Sequence, residues 1–381
     1  MAEPGSGNVT LLGRIVAIGV GTVVFLLFGE LAVRLMGYQA IYDTYSRPSV
    51  FWIHDPLLGW VHEPNSVGTY LGPRPWPVEF EATVRINSLG LRGPEVTDVP
   101  KGGYRVLVLG DSRTVGFEVE YEETFTAVLE PLLSEEMGAA VQVINAGVRG
   151  YGTDQELLYY RERGRKLEPH LVILVLSFND ARNNTMVHRM RRPFGKGAFA
   201  IRDDDSLELI GTPVPKYPEC SAYRLAANRE IVDVGGSTKS AICWLQMKLI
   251  DHSAMVTVAS LVLREMPNVV VSLYQTGDIV KQQYKTTLKD EWSRKLMNLL
   301  IAEIAKVARA DGAAFFVAGR TDVAEYLDFE AELGDSIDFV ETDWVDTDET
   351  GYLHDGHYNP LGHERFATLL APAAAAHLRA R

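Results

Sequence analysis

Cysteine is scarce in this sequence, whose 381 residues include only Cys220 and Cys243. Two thiols cannot by themselves build a four-cysteine zinc site or the multi-disulfide framework of a small secreted domain. Two alternatives stay open for them. They form one disulfide bond in an oxidising compartment, or they remain a pair of free thiols.

Positive charge is also in short supply. The chain carries 37 lysines and arginines against 50 aspartates and glutamates, a formal net charge of −13, and no extended basic stripe offsets it. Such a surface repels nucleic acid, so no nucleic-acid partner is expected. The composition of 46% hydrophobic and 23% charged residues is that of an ordinary globular protein, which argues against disorder.

One stretch near the N-terminus lacks charge altogether. Residues 15–29 are uncharged, but a membrane-spanning helix needs ~20 residues. The wider segment 11–36 is long enough, and Glu30 and Arg34 within it are spaced to pair on one helical face. No A-x-A site follows, which favours a retained membrane anchor over a cleaved signal peptide or a buried soluble helix.

The pattern of apolar, aromatic and turn-forming residues divides the chain into segments. After an anchor segment at 1–37, residues 38–100 are rich in aromatics, Pro and Gly, and the alternation in VEFEATVRIN predicts a strand within an irregular β-rich collar. The main domain at 101–381 alternates apolar strand patterns with helical ones. Between 184 and 285 this alternation stops, and we interpret that stretch as an insertion over the carboxyl edge of the sheet.

Apolar runs predict the strands of the main domain: YRVLVLG, VQVINAG, LVILVLS and AAFFVAG. LVILVLS is apolar on both faces, which is typical of a central parallel strand. Helical periodicity separates the runs, and a last helix is predicted to begin near Pro360. The class predicted is therefore α/β, with a mostly parallel central sheet.

Four short polar stretches follow these strands or lie beside them: GDSRT, NAGVRGYGT, SFND and HDGHYNPLGH. Open parallel sheets bind their ligands at the carboxyl ends of the strands. Together the stretches supply a hydroxyl, flexible backbone N–H groups, a carboxamide and an Asp/His pair. These are the groups that acyl transfer requires.

In order and spacing, the four stretches resemble the sequence blocks of the SGNH hydrolases, also called GDSL esterases/lipases. The resemblance covers residues 104–183 and 286–381 and leaves the insertion unmatched. It implies a flavodoxin-like three-layer α/β/α fold and a serine esterase that works through an acyl-serine intermediate. It implies no cofactor and no metal.

The N-terminal part adds to this resemblance. The anchor, with DPLLGW, PNSVG and INSLGLRG behind it, looks like a membrane-anchored bacterial subgroup of the same family. That likeness implies a periplasmic catalytic domain whose substrate is an acyl ester, on an envelope glycan or a lipid.

The resemblance also implies roles for individual residues. Ser112 matches the nucleophile, although a serine that only caps a helix would give the same short stretch of sequence. The oxyanion hole would be formed by the Ser112 N–H, the Gly150 N–H and the Asn179 amide. Gly147 is the rival for Gly150, and the spacing from Asn145 favours Gly150.

His357 matches the general base, and Asp355 is the expected acid of the triad. In an extended segment, side chains at i and i+2 project to the same side, so the Asp355 carboxylate would reach the ring. The commoner family spacing places the acid where this chain has His354, whereas the alginate O-acetylation proteins also use Asp-x-His. Asp348 or a backbone carbonyl remains the alternative acid.

Charged residues beside these blocks have structural interpretations. We expect Asp111 and Asp180 to brace loops by accepting backbone hydrogen bonds. Arg113 stands where the family usually has an apolar residue, and an ion pair with the loop of Glu118 and Glu120 is favoured over a contact with an anionic substrate. The basic patch 188–197 is interpreted as a solvated loop rather than a site for an anionic headgroup.

Other classes of protein fit the sequence less well. GDSRT lacks the G-x-S-x-G elbow of α/β-hydrolases, and GVRGYG lacks the spacing of a dinucleotide site. A zinc site could use His354, Asp355, His357 and His363, but the esterase blocks account for the same cluster. Two further alternatives are a non-catalytic anchored binding module and an O-acyltransferase that delivers the acyl group to a sugar hydroxyl.

Overall fold

The computed structural model describes residues 10–38, 51–72, 79–189, 192–227, 229–250, 252–256, 258–259, 291–343, 345, 349–353 and 355–381. His354 and Asp348, which entered the sequence analysis as alternatives, lie outside these residues. The chain divides into two compact units. One takes in residues 1–47, 74–76 and 244–276, and the other takes in 48–73, 77–243 and 277–381.

The first unit is built on one long apolar helix, α1 (Leu11–Leu35), none of whose residues is buried. Arg34 bonds to Glu30 at 2.7 Å, as their spacing predicts. Glu30 also accepts the backbone N–H groups of Ala254 at 2.8 Å and Met255 at 3.0 Å. With 25 residues, α1 is long and apolar enough to cross a membrane, and a signal sequence would have the same properties.

The remaining described helices and strands are, in chain order, β1 (Trp52–Asp55), β2 (Gly59–His62), β3 (Val67–Gly72), β4 (Phe80–Arg85), β5 (Tyr104–Gly110), α2 (Ser112–Val115), α3 (Phe125–Met137), β6 (Val141–Gly147), α4 (Thr153–Glu162), β7 (Leu171–Val175), α5 (Asp180–Thr185), β8 (Met186–His188), β9 (Ala198–Ile201), β10 (Leu207–Ile210), β11 (Tyr223–Leu225), β12 (Ile231–Asp233), α6 (Gly236–Leu245), α7 (Glu291–Ala310), β13 (Ala314–Gly319), α8 (Thr321–Leu327), β14 (Phe339–Glu341) and α9 (Pro360–Arg379). Tyr121–Glu123 and Gly164–Leu167 form 3-10 turns, and Gln246–Ile250 and Glu330–Gly334 form π-helical turns.

The second unit is organised around a five-stranded sheet in the order β14–β13–β7–β5–β6. Every neighbouring pair is parallel. Counted along the chain, the sheet strands stand in the order 2-1-3-4-5, which is the flavodoxin-like doubly wound arrangement. The predicted fold class is confirmed. The strand order reverses at β5, so the ends of β5 and β7 flank the switch point where such sheets bind ligands.

Alternate side chains of the strands pack against two separate helical layers. Val106 and Val108 of β5 lie in a buried cluster with residues of α3 and α9. Leu107 and Leu109 lie in a second cluster with residues of α4 and α7. Because both faces of the strand are covered, an unbroken apolar run is required, and this explains the pattern that predicted the sheet.

The collar and the insertion are built from antiparallel pairs. In the collar β1 pairs with β2 and β3 with β4, and β4 lies within the predicted strand VEFEATVRIN. In the insertion β9 pairs with β10. Cys220 and Cys243 form a disulfide bond with a Cα–Cα distance of 5.6 Å, which decides between the two alternatives for the cysteines.

Candidate active site

The GDS stretch forms a sharp turn from β5 into α2. Ser112 is the first residue of α2, and the Asp111 carboxylate caps the helix by accepting the Arg113 N–H at 3.0 Å. Gly110 and Gly147 lie opposite each other in the β5–β6 register. A side chain on either glycine would overlap Thr114. The absence of Cβ atoms here lets α2 start directly against the sheet.

Ser112 contacts His357 across 245 residues of sequence, with 2.8 Å between the serine Oγ and the ring Nε2. The other ring nitrogen, Nδ1, forms a short hydrogen bond with the Asp355 carboxylate. A carboxylate only accepts, so Nδ1 carries the proton, and the Nε2 of a neutral ring then accepts the Ser112 hydroxyl. This geometry allows the imidazole to withdraw the serine proton.

Asp355 reaches the ring in a different way from the one that we predicted. The segment is a turn and not an extended strand, because Gly356 has φ +78° and its N–H donates to the Tyr352 carbonyl at 3.1 Å. The expectation of an extended Asp-x-His segment is therefore wrong, although the two side chains do meet. Glycine at the middle position permits the left-handed conformation that brings them together.

The Asp355 carboxyl is held in its charged form. Burial works against ionisation, but it is outweighed by the hydrogen bond from His357, by the positive charge of that ring when it is protonated and by the charge of Arg149. The result is a lowered pKa for Asp355. An ionised Asp355 favours the Nδ1–H tautomer of His357 and stabilises an imidazolium.

The residues predicted for the oxyanion hole line the same cavity, of about 310 Å³, as Ser112 and His357. Gly150 lies on its wall with φ +79°, and Asn179 lies beside it. Gly147 is not part of this lining, because it packs against the backbone of α2, where a Cβ would overlap the Val115 nitrogen. The roles of Gly150 and Asn179 in binding an oxyanion remain predictions.

Asp111 and Asp180 brace the loops around this cavity. Asp111 accepts the Ser177 hydroxyl at 2.8 Å and the Asn179 amide Nδ2 at 3.1 Å. Asp180 accepts the Ser177 N–H at 2.7 Å. These bonds fix the loop after β7 against the loop after β5.

The ion pair expected between Arg113 and the Glu118–Glu120 loop does not form. The Arg113 guanidinium lies 4.9 Å from the centre of the Tyr358 ring and donates to the Tyr358 hydroxyl at 3.1 Å. Glu118 forms an ion pair with Arg149 instead, and Glu120 accepts a backbone N–H from β4. The long-range partner of Glu118 could not be read from the local sequence.

Glu118 and Arg149 are site residues that the sequence analysis missed. The Glu118 side chain is 1% exposed, and its Oε1 lies 3.5 Å from Nδ1 of His357. Arg149 lines the cavity. A signal existed for Arg149, since it is the one charged residue in NAGVRGYGT. Glu118 lies in a loop between α2 and α3 and gave no such signal.

Glu118, Asp355 and His357 also place one ligand atom each within 4.8 Å of one another, a spacing that could hold a metal ion. The zinc cluster considered from the sequence is different, because it required His363. The His363 ring is buried, its Nδ1 accepts the Phe125 N–H at 3.2 Å, and burial lowers its pKa to about 3. His363 is a packing residue of α9.

Two buried carboxyls lie close to Asp111. Among the described residues, both carboxyl oxygens of Glu156 on α4 lack a hydrogen-bond partner. Burial, followed by the charges of Asp180 and Asp111, raises the pKa of Glu156 well above 4.5. Burial and the charge of Asp111 raise the pKa of Asp180 in the same way.

Comparison with known proteins agrees with this geometry. The sequence model of the GDSL-like lipase/acylhydrolase family matches residues 108–365, more than half of the chain. The chain therefore belongs to this family of SGNH-type ester hydrolases. A search of curated proteins found no match.

Solved structures that are similar to this chain include hydrolases described as lipases. The crystal structure of TesA is 15% identical over 70% of this chain and 96% of that chain, with a TM-score of 0.35. The lipase Lip_vut3 from a goat rumen metagenome is 13% identical over 72% and 98%, with a TM-score of 0.37. A GDSL-like lipase from Bacteroides thetaiotaomicron VPI-5482 is 12% identical over 73% and 91%, with a TM-score of 0.33. At these scores the similarities carry no argument about substrate.

We predict that Glu118 supports catalysis by neutralising Arg149 beside His357. In a Glu118→Gln variant Arg149 loses its counter-charge, and an imidazolium at His357 becomes harder to form. We expect kcat to fall about tenfold, because a hydrogen bond to a charged group is worth roughly 1.5–3 kcal/mol. Steady-state kinetics measure kcat, with exposed Glu122→Gln as the matched control, and a kcat equal to that of the wild type contradicts the prediction.

We predict that Glu156 makes folding stability depend on pH. A carboxyl with a raised folded-state pKa favours folding while protonated, so the free energy of unfolding falls as pH rises above 4.5 towards the raised value. Glu156→Gln removes this loss and should stabilise the protein at pH ~8 by roughly 1–3 kcal/mol relative to the wild type.

Urea unfolding of both proteins at pH ~5 and ~8 tests the Glu156 prediction. Glu162→Gln, an exposed change on the same helix, is the control. Parallel pH dependence in wild type and Glu156→Gln would refute it.

Proposed function

We propose that this protein is a serine esterase with Ser112 as nucleophile, His357 as general base and Asp355 as the acid that orients the base. The observation that carries the proposal is the 2.8 Å contact between Ser112 Oγ and His357 Nε2, with Asp355 bonded to the opposite nitrogen. An N-cap serine with only a structural role would not need a histidine from another part of the chain at its hydroxyl.

The reaction would run in two halves. His357 takes the Ser112 proton as the oxygen attacks the ester carbonyl, and the resulting imidazolium passes that proton to the departing alcohol. This leaves an acyl-serine and a neutral ring. Water then enters, gives a proton to His357 and attacks the acyl carbon, and the acid leaves as the proton returns to Ser112. Asp355 stays ionised throughout.

The oxyanion of each tetrahedral intermediate would be held by the backbone N–H groups of Ser112 and Gly150 and by the Asn179 amide. Supporting this role, the Asn179 amide is already held by Asp111 at 3.1 Å, so it needs little reorganisation during reaction. Gly150 lines the cavity with its backbone and carries no side chain to cover its N–H.

We further propose that α1 anchors the protein in a membrane and that the catalytic domain lies on the extracytoplasmic side. The disulfide between Cys220 and Cys243 supports this side, because such bonds persist in oxidising compartments and are rare in the cytosol. An acyl ester of an envelope glycan or lipid would be accessible from there.

Hydrolysis of p-nitrophenyl acetate tests the esterase proposal. Ser112→Ala should lose ~10⁴-fold or more in kcat, and Asn179→Ala should lose ~10²–10³-fold. A fluorophosphonate should label the wild type and not Ser112→Ala, with exposed Ser237→Ala as the labelled control. A folded wild type that neither hydrolyses the ester nor reacts with the phosphonate would refute the proposal and favour a non-catalytic binding module. Transfer to an added oligosaccharide in excess of hydrolysis would make the enzyme an O-acyltransferase.

Thiol labelling in cells tests the proposed location. In the full-length protein, Cys220 and Cys243 should resist a maleimide reagent until a reductant is added. The same protein lacking residues 1–37 should stay in the cytoplasm and be labelled without a reductant. Free thiols in the full-length protein would contradict the proposed extracytoplasmic location.

A further inference from the structure

The cavity at Ser112 has an unusual charge for this chain. The protein carries a formal net charge of −13, yet the described residues lining the cavity include no aspartate or glutamate. Its cationic lining residues are Arg149, Arg182, Arg189, Arg192 and Lys196. A cavity of this composition, in an acidic protein, attracts negatively charged molecules.

Two of these cations are already neutralised. Arg149 forms an ion pair with Glu118. Lys196 forms one with Asp154, and both of those side chains are buried, at 2% and 1% exposure. The interpretation of the whole 188–197 patch as a solvated loop is therefore wrong at Lys196. Neither pair leaves a charge available for a ligand.

Arg182 and Arg189 differ from these two, since neither has a carboxylate partner among the described residues. Arg189 donates to the Asn183 side-chain oxygen, which is neutral. Burial, followed by the like charges of Arg182 and Arg192, lowers the pKa of Arg189 to about 10. Like charges near a partly buried guanidinium group cost folding free energy, and a bound anion relieves that cost.

The rest of the lining suits an organic ester. The cavity wall includes the aromatic rings of Trp52, Trp60, Phe178 and Phe194. Such rings bind the apolar parts of a ligand, and arginine guanidinium groups bind carboxylates and phosphates through paired hydrogen bonds.

We infer that the ester substrate carries a carboxylate or phosphate group, which Arg189 and Arg182 bind while Ser112 attacks the ester. This inference rests on the proposed esterase function and narrows its substrate class to anionic esters. Arg182 and Arg189 would be specificity-determining residues that act on substrate binding and not on the chemistry at the carbonyl.

Two matched pairs of esters test the inference in purified full-length protein. Mono-4-nitrophenyl succinate and 4-nitrophenyl butyrate differ by a charge on the acyl side, whereas 4-acetoxybenzoate and its methyl ester differ by a charge on the alcohol side. We expect the wild type to favour the charged member of at least one pair in kcat/KM. In Arg189→Gln, that preference should fall about tenfold or more, mainly through KM, with part of it restored in Arg189→Lys.

Arg202→Gln is the matched control, because Arg202 belongs to the same insertion but is paired with Glu208 and does not line the cavity. Its preference ratio should equal that of the wild type. An equal fall in Arg202→Gln and Arg189→Gln would mean that only the long-range charge matters, and it would overturn the assignment to Arg189. No preference for either charged ester in an active wild type would overturn the inference and leave the esterase proposal intact.

A binding measurement separates failure of this inference from failure of the proposed function. Calorimetry on Ser112→Ala protein with benzoate, succinate or inorganic phosphate, against neutral benzamide, needs no turnover. Anion binding that weakens about tenfold in the Ser112→Ala, Arg189→Gln double variant supports an anionic subsite, even if the wild type hydrolyses none of the test esters. Absence of anion binding, together with equal hydrolysis of charged and neutral esters, refutes the subsite.

Discussion

The rest of the site depends on the hydrogen bonds that the Asp111 carboxylate accepts. It caps α2 through the Arg113 N–H and accepts the Ser177 hydroxyl and the Asn179 amide. These partners come from the ends of β5 and β7, the two neighbouring strands at the point where the sheet reverses its strand order. One buried carboxylate thus sets the position of the serine turn and of the predicted oxyanion amide together. Loss of this acceptor would remove a partner from donors on both loops, and leaving the buried Ser177 hydroxyl unpaired would alone cost roughly 1–3 kcal/mol.

Packing of α9 in the core determines the position of His357 in the site. Helix α9 begins at Pro360, with the Asn359 side chain accepting the Gly362 N–H at 3.0 Å as its N-cap. Within α9, His363 bonds to the first residue of α3 and stacks on the Phe125 ring at 6.0 Å between ring centres. A neutral, buried histidine can do this without a counter-charge. Because α9 is fixed in this way against the layer that covers β5, the turn just before it holds His357 at a defined distance from Ser112.

The sequence predicts the sheet well because strands covered on both faces must be apolar without interruption, as in YRVLVLG and LVILVLS. The resemblance to a family also singles out Ser112 and His357, which the structure places in contact, and their catalytic roles stay predictions. The sequence does not predict the contacts between loops, because loop residues have no periodicity that would pair one loop with another. The pairing of Glu118 with Arg149, 31 residues further on, left no pattern. The contact of Asp355 with His357 was expected from an extended segment and is made by a turn at Gly356, a conformation that depends on local backbone energetics and not on side-chain spacing.

The charges around the site differ between its buried part, near Asp111, and the cavity that Ser112 lines. Near Asp111, burial and mutual repulsion raise the pKa of Glu156 and of Asp180, which favours their neutral forms. Two further ionised carboxylates at that depth would place negative potential behind Asn179 and oppose an oxyanion forming in front of it. Within the cavity the sign is reversed, because the described lining contains arginines and no carboxylates. The same low dielectric that makes an unpaired carboxylate costly at the base strengthens attraction for an anion in the cavity. Burial therefore has two consequences here: it keeps negative charge away from the place of the proposed oxyanion, and it strengthens the attraction of the proposed anionic subsite for its ligand.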